Sequence, residues 1–434
     1  MIVTNRRKFL VTSAALVVGA LTLSAVPSQA FSPRSVDGVT ATSIKLGITI
    51  PMSGTASPGY NKIPGAMKAY FDYVNDNGGV NGRKVTLVVE NDEYVPTKAV
   101  TKTNKLVLRD KVLALVGPLG TSNNQAVAQK VNPGKRGVPV LFVNSGFSGF
   151  ANKAKYPTTY TVLPSYIMEA KIMSAYIKEK FAGKKLGLLY QDDDFGDDAL
   201  AGFKQSGVDF AVKVPYASGS QGVATTPGTW VSALAKGGAE VVVLFGVSSA
   251  TAAALYASYV GKYKPQWILG SVGGDATTLA ASKIPPSFLA GAIGTSFAPS
   301  PADATDDYIK LFMDVNTKYN AGVPFDNNIV QGMNTAFLTV QALKSAGKNL
   351  TRKSLMAAID KNGSKFASAG LVPLNYSATS HVGYNGYWFG TYNASGALVA
   401  DGGKYTVYTT DSGSGAVAKS TYTRPAMPAK GLPN

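Results

Sequence analysis

Residues 44–96 read IKLGITIPMSGTASPGYNKIPGAMKAYFDYVNDNGGVNGRKVTLVVENDEYVP. The stretch begins with an apolar strand and a Ser-Gly loop, and apolar residues at helical spacing follow from Ile63 to Val74. Gly78 and Gly79 stand where a left-handed helix cap needs glycine, and a second apolar strand follows. The stretch therefore predicts a strand–helix–strand unit with parallel strands. It contains no recognisable catalytic group.

The same alternation continues to about Leu269, which predicts an α/β fold with mainly parallel sheets. Two long helical patterns follow at 306–319 and 327–346, and strand-like runs return at 387–392 and 405–410. Ligands of such folds bind at the carboxyl ends of the strands. The binding site is therefore expected in the loops after Val116, Val143, Tyr190, Phe245 and Leu269.

The start of the chain has the features of an export signal. Basic residues at 6–8 precede an apolar run at 9–23, and 28–30 offers small residues for cleavage, so we expect a signal peptide over 1–30. Its TNRRKFL segment resembles a twin-arginine signal. The absence of Cys excludes disulfides, thiolate metal sites and a lipidated Cys. We therefore expect a protein without a lipid anchor in the periplasm or outside the cell.

After the expected signal peptide 404 residues remain, which are enough for two lobes. This part of the chain has a basic net charge. Without 6–8 the chain has 39 Lys and Arg against 25 Asp and Glu, a formal charge of +14. The basic residues are scattered and no aromatic-basic stripe is evident, which favours a solvated surface over a nucleic-acid site. Attraction to an anionic cell wall or lipid surface stays open as an alternative.

Several motifs carry a family resemblance when they are taken together. They are 48–54 (ITIPMSG), 78–83 (GGVNGR), 92–96 (DEYVP), 116–122 (VGPLGTS), 137–146 (GVPVLFVNSG), 189–196 (LYQDDDFG) and 374–377 (LNYS) with His381 and Gly383. In combination they resemble the leucine/isoleucine/valine-binding family of periplasmic binding proteins, the receptors of branched-chain-amino-acid-type ABC transporters. The resemblance covers about 44–400.

This resemblance implies the type I periplasmic binding protein fold: two Rossmann-like lobes joined by a three-strand hinge, with crossings near Val162, Gly294 and Leu371. The N-terminal lobe would comprise 44–162 and 294–371, and the C-terminal lobe 163–293 and 372–411. From 412 to 434, Gly, Ser, Ala and Pro predominate, which predicts a flexible tail. A monomer without cofactor or metal would close over a small ligand like a Venus flytrap and present its closed form to an ABC permease.

The resemblance also implies the ligand-binding residues. Thr121 matches the hydroxyl that bonds the ligand carboxylate, and the Gly-bearing loop before its helix suits an anion on physical grounds. Phe195 matches an aromatic residue of the second lobe that closes over the ligand side chain. The other expected ligand-binding residues are Tyr60, Leu119, Gly120, Ser145, Gly146, Phe147, Val247 and Val272. Phe147 has the alternative of packing on Phe150.

One departure bears on the ligand. Amino-acid receptors of this family carry a carboxylate after the strand that corresponds to 266–269, where it pairs with the ligand ammonium. This chain has GSVGG at 270–274, and its nearest acid is Asp275. A buried amine without a counter-charge costs several kcal/mol. We therefore expect a small carboxylate or amino-acid-like ligand, aromatic or aliphatic, with the α-amino group in doubt.

Three alternatives stay open. Ser248 lies between a strand and a helix and precedes the sole histidine, His381, in the order of an α/β-hydrolase, although the second glycine of a nucleophile elbow is missing. A ligand sensor of the same fold is another possibility. The acids at 192–198 lack the spacing of a calcium loop and are more typical of a helix N-terminus. The main expectation is a binding protein that is not an enzyme.

Overall fold

The computed structural model describes residues 36–219 and 226–433, so the expected signal peptide lies outside the described residues. The first sheet has the strand order β2-β1-β3-β4-β5, and every neighbouring pair is parallel. Its strands are β1 Ser43–Ile50, β2 Lys84–Asn91, β3 Ala114–Val116, β4 Val140–Val143 and β5 Thr159–Thr161. We call this sheet with the helices packed on it the N-terminal lobe.

The second sheet is the centre of what we call the C-terminal lobe. Its order is β14-β13-β11-β10-β9-β8-β6-β7, with β12 paired to β11. Strands β6 to β10 pair in parallel, whereas β11 to β14 pair antiparallel. The strands are β6 Leu186–Asp192, β7 Val212–Ala217, β8 Val241–Phe245, β9 Gln266–Leu269, β10 Ile293–Ser296, β11 Gly386–Tyr392, β12 Leu398–Ala400, β13 Val407–Thr409 and β14 Ala418–Lys419. The prediction of mainly parallel sheets is confirmed.

The helices connect the parallel strands, as the sequence pattern indicates. They are Ile63–Asp76, Pro96–Asn104, Thr121–Lys130, Pro133–Arg136, Tyr166–Lys180, Asp194–Gln205, Pro227–Lys236, Ser248–Val260, Ala276–Ala281, Asp307–Tyr319, Asn327–Ser345 and Arg352–Asn362. The first helix ends as predicted, since Gly78 and Gly79 have positive φ and the Gly79 N–H donates to the Val74 carbonyl at 2.9 Å. Within the described ranges no helix has the length and apolar character needed to cross a membrane.

Strand β4 contains an irregularity that matters for the site. Phe142 has φ 54°, and the pairing of β4 with β5 shifts register between Val140 and Val143. Leu141 and Phe142 therefore both pack into the main core, whereas Val140 and Val143 pack with a smaller apolar cluster on the other side. A bulge of this kind redirects the residues that follow the strand.

The chain passes between the two sheets more often than expected. It leaves the N-terminal sheet after β5 and returns after β10, where Phe312 of the next helix packs on Tyr70 with ring centroids 6.3 Å apart. It enters the C-terminal sheet again at β11. After β14 it turns back once more, and Tyr70 donates a hydrogen bond of 2.7 Å to the Gly431 carbonyl. These are four passages, where the family resemblance implies three.

The residues after β13 therefore lie against the body, in contrast to the expected flexible tail. Arg424 explains much of this packing, because it pairs with the Asp306 carboxylate and donates to the Ala369 carbonyl at 3.0 Å. Its guanidinium also lies 4.6 Å from the centre of the Tyr308 ring. The composition of 412–434 predicts disorder, because the average polarity of a segment does not show that one of its arginines makes three contacts.

Candidate ligand-binding site

A small cavity lies between the lobes. Its lining comes from both lobes and contains four aromatic rings. The N-terminal lobe contributes Tyr60, Tyr94, Leu119, Gly120 and Asn144, and the C-terminal lobe contributes Tyr166, Phe195, Val247 and Val272. None of these described lining residues is charged. The arrangement suits a small ligand with an apolar part.

The lining residues converge because they follow the strands of two parallel sheets. Tyr94 follows β2, Leu119 follows β3 and Asn144 follows β4, while Val247 and Val272 follow β8 and β9. The carboxyl ends of parallel strands meet at one edge of each sheet, and these two edges face each other here. The loops in which the sequence predicts the site thus meet at this cavity, and their role in ligand binding stays a prediction.

Thr121 and Ser145 lie together beside the cavity. Their hydroxyl oxygens are 2.7 Å apart, and both side chains are buried. The helix Thr121–Lys130 starts after Gly120 without a side-chain cap, so its first N–H groups point to this corner. Two hydroxyls and an uncapped helix start together form a suitable environment for a carboxylate.

Aromatic rings form the opposite wall. The rings of Tyr166 and Phe195 are 4.2 Å apart between centroids, and Phe195 also contacts Phe245 at 5.6 Å. Burial raises the pKa of the Tyr166 phenol, and the pKa of the Tyr94 phenol is raised for the same reason. Both phenols therefore stay neutral at physiological pH. The wall can pack on an apolar group and offers neutral hydroxyls.

The turn before Tyr94 is strained. Glu93 and Tyr94 have φ 54° and 61°, an unusual conformation for a bulky residue. The Asp92 carboxylate supports the turn, because it accepts from the Tyr94 N–H at 2.9 Å and from the Asn123 amide at 3.2 Å. Gly120 has to be glycine here, since a Cβ would lie 2.8 Å from the Tyr94 ring. The strain places the Tyr94 ring in the cavity wall.

Hydrogen bonds join the two lobes around the cavity. Tyr60 donates to the Val272 carbonyl at 2.8 Å, directly across the cleft. Ser122 donates to Asp193 at 2.6 Å, and Ser148 donates to Asp198 at 2.8 Å. The lobes are thus closed on each other in this structure.

No acid of the loop after β9 lines the cavity. The Asp275 carboxylate accepts from the Thr278 N–H at 2.9 Å and caps the helix Ala276–Ala281. The buried Glu169 carboxylate lies behind the loop and accepts from the Ser271 N–H at 2.6 Å and from the Thr295 hydroxyl. Burial raises the pKa of Glu169 to about 7. Both acids hold backbone in place, and neither lines the aromatic cavity.

A second space lies beside the aromatic cavity and shares Tyr60, Asn144 and Val272 with it. Its lining is mixed and includes Asp275, Asn328 and Gln331. The buried Gln331 Nε2 has no hydrogen-bond partner among the described residues. Asn144 is a lining residue of both spaces.

Six of the expected ligand-binding residues line the cavity, namely Tyr60, Leu119, Gly120, Phe195, Val247 and Val272. The other four, Thr121, Ser145, Gly146 and Phe147, do not line it. Phe147 packs edge to face on Phe150 with centroids 5.2 Å apart, which is the alternative stated for it above. Gly146 lies under Tyr166, where a Cβ would come within 2.8 Å of the ring.

Three lining residues were not among the expected ones. Asn144 and Tyr94 lie in segments that carry the family resemblance, and each directly follows a strand, which is the signal that could have identified them. Tyr166 starts a helix just after the expected crossing near Val162, a position that suits a core or lobe-face aromatic as well as a ligand contact.

The structure does not bring Ser248 and His381 together as a catalytic pair. The Ser248 hydroxyl bonds with the Thr278 hydroxyl at 3.2 Å. His381 Nδ1 lies 3.1 Å from the Thr159 carbonyl, its Nε2 lies 3.2 Å from Asp360, and the ring stacks on Tyr160. Burial lowers the pKa of His381 to about 4. Both side chains therefore have structural partners of their own.

Comparison with known proteins identifies what the fold is similar to. A sequence model of the periplasmic binding proteins matches residues 43–397. A Leu/Ile/Val-binding protein homolog 7 of Brucella abortus is 23% identical over 314 residues, which cover 68% of this chain and 75% of that protein.

Two solved structures share the architecture. The fatty acid ABC transporter substrate-binding protein from Thermomonospora curvata has a TM-score of 0.72 at 23% identity, with 84% of this chain and 93% of that one covered. A branched-chain amino acid ABC transporter protein from Thermus thermophilus with bound valine has a TM-score of 0.71 at 18% identity, with 83% and 96% covered. At these identities the likeness establishes the fold.

Proposed function

Because the chain belongs to the periplasmic binding protein family, we propose that it is the solute-binding component of an ABC transporter of the branched-chain-amino-acid type. It binds a small ligand between its lobes outside the cytoplasm and presents the closed form to a permease. The observation that carries this proposal is the cavity between the lobes, whose lining comes from both. A ligand that contacts both lobes stabilises the closed form by its own binding energy.

The proposed role is binding without chemical conversion. The serine and histidine that could suggest a hydrolase are engaged with Thr278 and with Thr159 and Asp360, as described above. The aromatic cavity offers hydroxyl, amide and apolar contacts, which are sufficient for recognition of a small molecule.

The charges around the aromatic cavity support one ligand class. An α-ammonium group would be buried against neutral phenols and aliphatic side chains, at a cost of several kcal/mol. A carboxylate would instead meet the Thr121 and Ser145 hydroxyls and the uncapped helix start. One of the two similar structures holds bound valine and the other belongs to a fatty acid ABC transporter, and a carboxylate is the group that valine and a fatty acid share. We therefore propose a small carboxylate without an α-amino group, with an aromatic or aliphatic body.

Matched pairs of ligands test this proposal. The purified protein is screened by thermal shift and titration calorimetry against leucine and 4-methylpentanoate, and against phenylalanine and 3-phenylpropanoate. Each pair differs only in the α-amino group. We expect the acid without the amine to bind more tightly in at least one pair.

Tighter binding of the amino acid would contradict the ligand class and leave the receptor function intact. If no carboxylate, amide or amino acid bound at all, the receptor function itself would be wrong. Thr121→Ala serves as the site control, and it should weaken every hit that binds in the cleft.

A further inference from the structure

The end of the helix Ser248–Val260 presents apolar side chains to solvent. Tyr256, Tyr259 and Val260 are 52%, 68% and 62% exposed. Six large hydrophobic residues are exposed within the described ranges, and these three are half of them. Tyr259 also packs on Phe288, with ring centroids 4.9 Å apart. We call these four residues the tyrosine face.

An open groove continues the tyrosine face toward the neighbouring helix, Pro227–Lys236. Apolar side chains of both helices line this groove, among them Val231, Ala235, Tyr256 and Val260. Lys236 lies at its edge, and Lys262 and Lys264 are exposed just beyond the end of the tyrosine helix. Aromatic and basic side chains are therefore neighbours in space, although the sequence shows no aromatic-basic stripe.

This region is almost free of acids. Residues 210–302 contain two acidic residues, Glu240 and Asp275. Glu240 pairs with Lys184 at 2.8 Å, and Asp275 is buried as a helix cap. Within the described ranges, Lys236, Lys262 and Lys264 have no carboxylate within ion-pair distance. One uncompensated cation, Lys236, thus borders the apolar groove, and two more, Lys262 and Lys264, follow the end of the tyrosine helix.

We propose that the tyrosine face with these three lysines docks on the surface of an anionic lipid bilayer. Tyrosine rings have an apolar body and a polar tip, which suits the headgroup level of a membrane. Lysines attract acidic headgroups while their alkyl stems lie along the apolar surface. A fluid lipid surface needs no fixed hydrogen-bond partners, and this patch offers few, whereas an acidic protein partner would need a fixed register.

Such docking explains how a receptor without cysteine could stay close to a membrane. Weak electrostatic attachment raises its concentration at the surface where a membrane partner resides. The tyrosine face belongs to the C-terminal lobe, and none of its residues lines the aromatic cavity. Attachment through this face therefore leaves the cavity free. Ligand binding should then be unaffected by changes in the tyrosine face.

Vesicle sedimentation tests the proposal. The mature protein is mixed at low ionic strength with vesicles of phosphatidylcholine alone or with phosphatidylglycerol at one third. We expect binding to the anionic vesicles and little to the neutral ones. Lys236→Glu, Lys262→Glu and Lys264→Glu together should lower the partition coefficient by about tenfold or more. Tyr256→Ser with Tyr259→Ser should lower it by about fivefold at unchanged charge.

Two control variants separate the face from the overall charge. Lys84→Glu, Lys130→Glu and Lys135→Glu change the net charge by the same amount on exposed lysines of the N-terminal lobe. Leu108→Ser with Met313→Ser removes two other exposed hydrophobic residues. Equal losses in the control and patch variants would overturn the proposal in favour of general basic attraction. Absence of binding by the unaltered protein would also overturn it, and would leave an acidic protein as the partner to seek.

A label reports the docking position directly. The chain contains no Cys, so Val260→Cys creates a single site for an environment-sensitive dye. We expect its fluorescence to rise and shift to the blue on anionic vesicles. The same dye at Leu108→Cys should stay unchanged, since Leu108 is similarly exposed at 52% outside the tyrosine face. A larger response at Leu108 would contradict the proposed orientation.

Discussion

The Ser122 hydroxyl lies 2.6 Å from the Asp193 carboxylate and joins the two lobes at the edge of the aromatic cavity. The same carboxylate accepts from the Phe195 N–H at 3.0 Å and caps the helix Asp194–Gln205. Closure of the cleft and orientation of the Phe195 ring thus depend on one acidic side chain. Contact between the lobes and the aromatic wall of the site are coupled through it.

Ser122→Ala should shift the protein toward the open form. The substitution removes a hydrogen bond to a charged group, which contributes about 1.5–3 kcal/mol, and leaves the Phe195 cap intact. We expect ligand affinity to fall by about tenfold and the radius of gyration without ligand to increase in X-ray scattering. Ser232→Ala, an exposed serine of the C-terminal lobe, is the matched control and should change neither quantity. Unaltered affinity in Ser122→Ala would show that this bond does not contribute to closure.

Thr121 should contribute to ligand binding through its hydroxyl. Thr121→Ala removes one of the two hydroxyls at the helix start, and we expect a loss of about tenfold or more in carboxylate affinity by calorimetry. Thr121→Ser retains the hydroxyl and should retain most of the affinity. On the same substitution, the affinity for an amide analogue of the ligand should fall less than the affinity for the acid. Equal affinities in the Ala and Ser variants would contradict the assignment.

Glu169 should make stability depend on pH. Its folded-state pKa is raised from 4.5 to about 7 by burial, so the folded state binds the proton more tightly than the unfolded state. The contribution is fully present below pH 4.5 and is lost as the pH rises through 7, by about 3 kcal/mol at most.

Glu169→Gln removes this titration. Buried Asp92 and Asp198 also have pKa values raised to about 6, so the variant must be compared with the unaltered protein at each pH. We expect the melting temperature of the variant relative to the unaltered protein to rise between pH 4.5 and 7.5. A constant difference would show that Glu169 does not titrate in this range.

Arg424 should stabilise the whole molecule. Arg424→Ala removes the partner of Asp306, the donor to the Ala369 carbonyl and the contact with the Tyr308 ring. We expect a loss of about 2 kcal/mol in the free energy of unfolding by chemical denaturation. Arg424→Lys should lose less of the free energy of unfolding than Arg424→Ala, because lysine keeps the positive charge but lacks the planar guanidinium group. Lys419→Ala, on the exposed strand β14, should be neutral.

Most of the fold could be predicted from local sequence patterns. Gly78 and Gly79 end the first helix as expected, and the helices after 306 begin and end within a few residues of their predicted limits. The acids at 192–198 were interpreted as typical of a helix N-terminus, and the helix Asp194–Gln205 begins among them. Asp193 in fact caps that helix, so Phe195 belongs to the first turn.

The site was predictable where it depends on the ends of strands and not where it depends on backbone irregularities. The bulge at Phe142 and the strained turn at Tyr94 decide which side chains reach the cavity, and neither conformation follows from residue type. Phe147 illustrates the consequence, since it was expected beside the ligand and packs on Phe150 instead. The supporting role of Glu169 behind Ser271 also depends on a contact between distant segments.

The fourth passage of the chain has a practical consequence for sensor design. The segment between β14 and Arg424 is anchored to the C-terminal lobe at one end and to the N-terminal lobe at the other. Any rotation between the lobes must therefore stretch or relax it. A fluorescent reporter inserted there would convert ligand-driven closure into an optical signal without approaching the ligand, and the absence of cysteine leaves thiol chemistry free for its attachment.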